Sequence, residues 1–221
     1  MRTVIFDLDG TLADTSADLI AAANSCFRDL GYGVVLDPVA DARTAFRGGK
    51  AMLRLGFSRV LAGYNDADVD AQYQPFIDAY AESIDVHTRL YDGAAEAIDG
   101  LRTAGYAVGI CTNKPESLAD RLLVSLGVRD MFGSMIGAKT VGVSKPDPKP
   151  YIAAVEEAGG TLSQSYLVGD TETDRATARA AGVSCALVTF GPDGEGVKSL
   201  EPEALLHSYA FLSQVTAELI G

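Results

Sequence analysis

Cysteine is scarce in this chain, basic charge is in deficit, and long apolar runs are missing; each absence removes a class of function. The three cysteines, Cys26, Cys111 and Cys185, are odd in number, far apart and set among apolar residues. They read as small core side chains and exclude a disulfide framework or a thiolate metal site. No apolar stretch approaches the roughly 18 residues needed to cross a bilayer. Met1 and Arg2 lead directly into a strand pattern without the regions of a signal peptide, so a cytoplasmic protein is expected. Against 30 acidic residues stand 18 Lys and Arg, a formal charge of −12, and no basic run offsets it locally. Nucleic acid and anionic membranes are therefore excluded as partners. His87 and His207 have no sequence partner that would make a base or a ligand pair, and both read as incidental.

What is present is enough apolar residue, 48% of 221, to bury about 70% of the unfolded surface. The organising stretch is Thr3 to Leu12, TVIFDLDGTL. Four β-branched or aromatic residues form a strand of the kind buried on both faces of a parallel sheet. It ends at Asp7, with Asp9 two residues on and Gly10-Thr11 as the turn. Acids at the carboxyl end of a buried strand lie where open α/β sheets bind ligands, although a lone D-x-D is also the signature of a capped loop.

From Ser16 to about Ile84 the spacing is helical. Leu19, Ala23, Phe27 and Leu30 define a first helix closed by Gly31. Asp37-Pro38 predicts the start of a second, RGGK at 47–50 a polar interruption, and Val69, Tyr73, Phe76, Ile77 and Tyr80 one face of a later helix. No strand is expected from Asp14 to Thr88. Beyond lies an alternation: helix from Ala94, strand 107–111, helix from Glu116, strand 134–136, helix from Pro148, strand 166–168, helix from Thr173 and strand 185–188. The tail from Pro202 reads as short closing helices. Such alternation implies an α/β fold, a doubly wound Rossmann-like parallel sheet, with an all-helical domain inserted after its first strand. The expected division is 1–13 with 89–221 as core and 14–88 as cap.

Three further polar clusters stand where strands should end or helices begin. Thr112-Asn113-Lys114 offers hydroxyl, amide and backbone N–H groups to an anion, or a plain helix cap. In Ser144-Lys145-Pro146-Asp147-Pro148 the prolines stiffen the chain around a lysine that would otherwise be a solvated surface charge. Gly169-Asp170-Thr171-Glu172-Thr173-Asp174 places two acids four apart at a strand end, where they can cap a helix or hold a divalent cation.

In this order, DLDGTL at 7–12, TNK at 112–114, SKPDPKPY at 144–151 and GDTETD at 169–174 resemble the haloacid dehalogenase superfamily, and within it the phosphoglycolate phosphatase-like group. AxAAGV at 178–183 and VTFG at 188–191 extend the likeness; Asp92 departs from it, where relatives carry proline. The resemblance implies a phosphatase of small phosphorylated metabolites. Asp7 would be the nucleophile and Asp9 the acid and base. Mg²⁺ would be bound by Asp7, the Asp9 carbonyl and Asp170, with Asp174 in or just behind that shell. Thr112, Asn113 and Lys145 would hold the phosphoryl oxygens, and Arg47 and Lys50 of the cap the substrate's distal group, unless they are ordinary surface cations. A phosphosugar mutase would use the same core residues, and a silent phosphate-binding regulatory module the same geometry without turnover. A monomer and a homodimer are both compatible with the sequence.

Overall fold

The computed structural model describes residues 1–221, and the chain divides into two compact units, Met1–Asp14 with Leu90–Gly221 and, separately, Thr15–Arg89. In chain order the elements are β1 (Thr3–Phe6), β2 (Ala13–Asp14), α1 (Ser16–Asp29), α2 (Ala42–Ala45), α3 (Gly49–Val60), α4 (Asp66–Glu82) and β3 (Arg89–Leu90). There follow α5 (Ala94–Thr103), β4 (Ala107–Cys111), α6 (Glu116–Ser125), β5 (Ser134–Ile136), α7 (Lys149–Glu157), β6 (Ser165–Gly169), α8 (Glu172–Ala181), β7 (Ser184–Val188), β8 (Ala204–Leu206) and α9 (Leu212–Ile220). No helix is long and apolar enough to cross a membrane.

The first unit is the expected α/β fold. Six strands in the order β5-β4-β1-β6-β7-β8 form one sheet, parallel at every pairing. β1 lies centrally and is buried at all four positions, which is why it reads as an unbroken apolar run instead of an alternating one. Its register sets Phe6 level with Ile110 of β4 and Val168 of β6. The three strands therefore release their next residues, Asp7, Cys111-Thr112 and Gly169-Asp170, at one edge. Ile5, Cys111, Ile136, Tyr151, Leu167, Cys185 and Leu187 make a continuous core. The cysteines are free and buried, as their apolar setting predicts.

Three short strands go beyond the sequence reading. The tail is not helical throughout: Ala204–Leu206 adds a sixth parallel strand beside β7. Three residues are too short a run to show a period, and the strand depends on its neighbour for pairing. Short β2 and β3 also pair as a ribbon, where the chain leaves the α/β unit and returns to it.

The second unit holds α1 to α4. Asp37-Pro38 does not open a helix. The Asp37 carboxylate accepts from the backbone N–H groups of Val39 and Ala40 and closes a turn, leaving α2 a single turn from Ala42. Nor does RGGK stay outside regular structure, because Gly48, at φ +91°, precedes α3 and Gly49 and Lys50 are its first residues. Leu19, Phe27, Met52, Leu53, Phe57, Val69, Phe76 and Tyr80 are buried. The Phe27 and Phe57 rings meet edge to face at 5.3 Å, a contact that requires Gly56, where a Cβ would fall 2.1 Å from Phe27.

Asp18 fixes the end of this unit to its beginning. The carboxylate, 2% exposed, accepts from the backbone N–H of His87 at 3.0 Å and from the N–H and hydroxyl of Thr88 at 2.8 Å each. Asp18→Ala leaves those donors unsatisfied in a buried place, and we expect a stability loss of about 1–3 kcal/mol. Denaturant unfolding checks this; a loss below about 0.5 kcal/mol would mean that water replaces the carboxylate freely.

Candidate active site

The turn after β1 begins the site. The Asp7 N–H still donates to Val168 carbonyl at 2.9 Å, so the backbone of this acid is part of the sheet. Thr11, Leu12 and Ala13 then all turn their N–H groups to the Leu8 carbonyl, and Gly10 adopts φ +83°, a conformation that costs an L side chain energy. Asp9 stands on this turn with its Oδ1 2.8 Å from Lys114 Nζ.

Asp170 leaves β6 fully buried and its Oδ1 accepts from the Thr11 hydroxyl at 3.0 Å. The Thr11 carbonyl in turn accepts from the buried Tyr209 hydroxyl at 2.7 Å. Four residues beyond Asp170, Asp174 completes a capping box with Thr171 at the start of α8. Its Oδ2 accepts from the N–H groups of Asp170 and Thr171 and from the Thr171 hydroxyl, and its Oδ1 from Lys145 Nζ at 2.6 Å. Gly169 makes room for it, since a Cβ there would lie 2.4 Å from the Asp174 side chain.

Lys145 is the central cation. It is 5% exposed, and besides Asp174 its Nζ lies 3.0 Å from Asp7 Oδ1, an ion-pair contact outside hydrogen-bond geometry. Burial works against its charge, but Asp174 and Asp7 outweigh that and hold the ammonium above its ordinary pKa. Thr112 is buried; its N–H belongs to the sheet, donating to the Ile136 carbonyl at 2.9 Å, and its hydroxyl oxygen accepts from the Lys114 N–H at 3.1 Å. The hydroxyl proton is thus left to donate.

Of the residues singled out in the sequence, the structure brings Asp7, Asp170 and Asp174 together, with carboxylate oxygens all within 4.8 Å of one another. Lys145 joins them through Asp7 and Asp174. Asn113 is engaged elsewhere than expected: both ends of its amide are bonded to the backbone of Lys145. Lys50 Nζ is paired with Asp70 at 2.5 Å and lies over the Tyr73 ring, whereas Arg47 is exposed on the turn before α3. His207 does have partners, its Nδ1 lying 2.9 Å from the Thr189 hydroxyl and 3.5 Å from Glu195. Sequence reasoning missed Lys114, Thr11 and Tyr209 as site-building residues. The first two stand inside TNK and DLDGTL, while nothing local marks Tyr209, which is 198 residues from its partner.

Two carboxylate oxygens, Asp7 Oδ1 and Asp170 Oδ2, are buried without a hydrogen-bond donor. Asp174 is already saturated, so the open valences toward a cation are on the other two acids. Oxygen donors of this kind suit a hard divalent ion, and the cluster fits one.

Against this geometry the relatives can be placed. Residues 4–188 match the model of the family described as haloacid dehalogenase-like hydrolase. The chain belongs to that family. Phosphoglycolate phosphatase from Agrobacterium fabrum is 34% identical over 97% of this chain and 91% of its own length. That from Caulobacter vibrioides is 36% identical over 94% and 87%. A crystal structure of a predicted phosphoglycolate phosphatase from Haemophilus somnus superposes with a TM-score of 0.86 at 22% identity, covering 98% of both chains, and shares the fold. The chain is a phosphoglycolate phosphatase-like member of the family, a hydrolase of phosphoric monoesters.

Burial pushes the Asp7 carboxyl up to about 6; Lys145 opposes the rise, and Asp174 and Asp9 add to it. Burial, Asp174 and Asp7 likewise raise Asp170 well above its usual value, against the Thr11 hydrogen bond. A carboxyl raised in the folded state holds its proton more tightly there than when unfolded. Without a cation it opposes folding increasingly as pH rises from 3.8 through about 6 for Asp7, and not at all well below that window. In chelator at pH 7.5, Asp170→Asn should therefore melt higher than the native chain, by about 2–4 °C per kcal/mol relieved. The gain should fade toward pH 4 and reverse in excess Mg²⁺. A lower Tm in chelator at pH 7.5 would show that the Thr11 contact outweighs the repulsion.

Proposed function

We propose that the chain hydrolyses a small phosphorylated acid, with 2-phosphoglycolate as the first substrate to test, by a two-step transfer through Asp7 in the presence of Mg²⁺. The observation that carries this reading is the pair of donor-less oxygens on Asp7 and Asp170 beside a buried lysine. Such a site repels a phosphate dianion as it stands and accepts one once a cation balances it. The names of the curated relatives support the substrate class.

Mg²⁺ would be held by Asp7, Asp170 and the Asp9 carbonyl, and when bound it neutralises the acids and draws charge from the phosphoryl oxygens. The remaining chemistry belongs to the chain's own groups. Asp7 presents a carboxylate on a backbone fixed in the sheet and attacks phosphorus, giving an aspartyl-phosphate and expelling the alkoxide. Asp9, two residues away on the turn, protonates that oxygen and then takes a proton from the water that cleaves the acyl-phosphate bond. The Thr112 hydroxyl and the Lys145 ammonium hold the equatorial oxygens, where charge gathers in the transition state. Asp174 keeps Lys145 in place. The helical unit is proposed as a cap. Arg47 is its better candidate for the distal carboxylate, because Lys50 already has Asp70.

Release of phosphate from phosphoglycolate should require Mg²⁺ and stop in chelator. Asp7→Asn should abolish it and leave no acid-stable label from ³²P-substrate. Asp9→Asn should slow turnover by about 10²–10⁴-fold. Full activity without a divalent ion, or turnover by Asp7→Asn, refutes the mechanism. A phosphoenzyme that survives in water for minutes while an added phosphosugar is isomerised would favour the mutase.

For the cap, Arg47→Ala should lower kcat/KM for phosphoglycolate by about 1–3 kcal/mol and leave a neutral aryl phosphate unaffected, as expected of a hydrogen bond to a charged group. Equal losses on both substrates would indicate a damaged cap instead.

A further inference from the structure

We infer that Asn113 is a positioning residue whose side chain places the Lys145 backbone, and that it acts on the phosphoryl group only through that lysine. The inference rests on the proposed role of Lys145 at the phosphoryl oxygens. Lys145 lies between β5 and α7, outside any helix or strand, so no sheet register locates it. Its main chain is gripped at both polar atoms: the Asn113 Nδ2 donates to the Lys145 carbonyl at 3.0 Å, and the Lys145 N–H donates to Asn113 Oδ1 at 2.9 Å. A primary amide paired in this way is a stand-in for one rung of a strand ladder. Its orientation is unambiguous, since the peptide offers one donor and one acceptor and only one setting of the amide satisfies both.

Asn113 itself is located by the residue before it, because the Thr112 N–H is the last bond of β4 to the Ile136 carbonyl. Strand register is thus passed across the amide to the lysine loop. The far end of the same side chain is fixed by Asp174, at 2.6 Å from Nζ. Lys145 is held at backbone and ammonium by two different elements, and the distance between those anchors decides where its charge lies. Ser or Thr in place of Asn113 would not span both backbone atoms.

Asn113 is exposed, which makes a clean test possible, since its removal deletes little packing. Inorganic phosphate is titrated calorimetrically, in Mg²⁺, into the native chain, Asn113→Ala, Lys145→Met and the double variant. Asn113→Ala should melt close to the native temperature and bind phosphate about tenfold more weakly, the effect expected of two hydrogen bonds in series with the binding group. In the Lys145→Met background the same change should cost less than about twofold, because no ammonium remains to be placed. Asn113→Ser, which keeps a polar group there, should show the same pattern and replaces the alanine variant if that one fails to fold.

Equal losses in both backgrounds would mean that Asn113 touches phosphate itself, and no loss in the native background would mean that Lys145 is placed without it; either overturns the inference. If Lys145→Met alone binds phosphate as the native chain does, the fault lies with the role given to Lys145, and the inference falls with it. The phosphoglycolate assay is independent of all four titrations, so the two readings fail separately.

Discussion

Repulsion among Asp7, Asp170 and Asp174 is the constraint around which the α/β unit is arranged. Three buried carboxylates within 4.8 Å cannot all be ionised on their own account. The fold offsets this in two ways. Asp174 is neutralised structurally, by three donors at the start of α8 and by Lys145. Asp7 and Asp170 are left short of donors. The cost of that shortage falls on the folded state, and it is the part of the structure that the proposed metal ion would relieve. Stability and the proposed function are thus in tension at two identified oxygens.

The same constraint explains why so many elements converge on one edge. β1 supplies the acid pair, β6 with α8 supplies the other two, and β4 and the loop after β5 supply the hydroxyl and the cation. Only adjacent parallel strands in matched register can end these side chains so close together, and β4-β1-β6 are adjacent. Tyr209, from the far end of the chain, adds a support from behind by fixing the Thr11 carbonyl, while the Thr11 hydroxyl orients Asp170.

Much of this was legible in the sequence. β1, β4 and β6 are recognisable because strands buried on both faces are short apolar runs with abrupt polar ends, and those ends form the candidate site. β8 was not, since Ala204 to Leu206 becomes a strand only by pairing with β7. Asp37-Pro38 misled because an aspartate that caps a turn and one that caps a helix look alike over four residues. Residue type placed Asn113 at the site, but its partner is a backbone 32 residues away, which no local pattern encodes. Lys50 was in the same position, its ion pair with Asp70 depending on how α3 and α4 pack.

Gly169 has no chemistry of its own, yet the whole charge arrangement passes through the space it leaves empty. A single added methyl would displace Asp174, and with it the anchor of Lys145 and the donors gathered at the start of α8. If the acids carry the proposed chemistry, a survey of substitutions scored on activity would rank this position beside them, although it donates no proton, binds no ion and touches no ester. Vacancy, as much as any functional group, is what the end of β6 contributes to the candidate site.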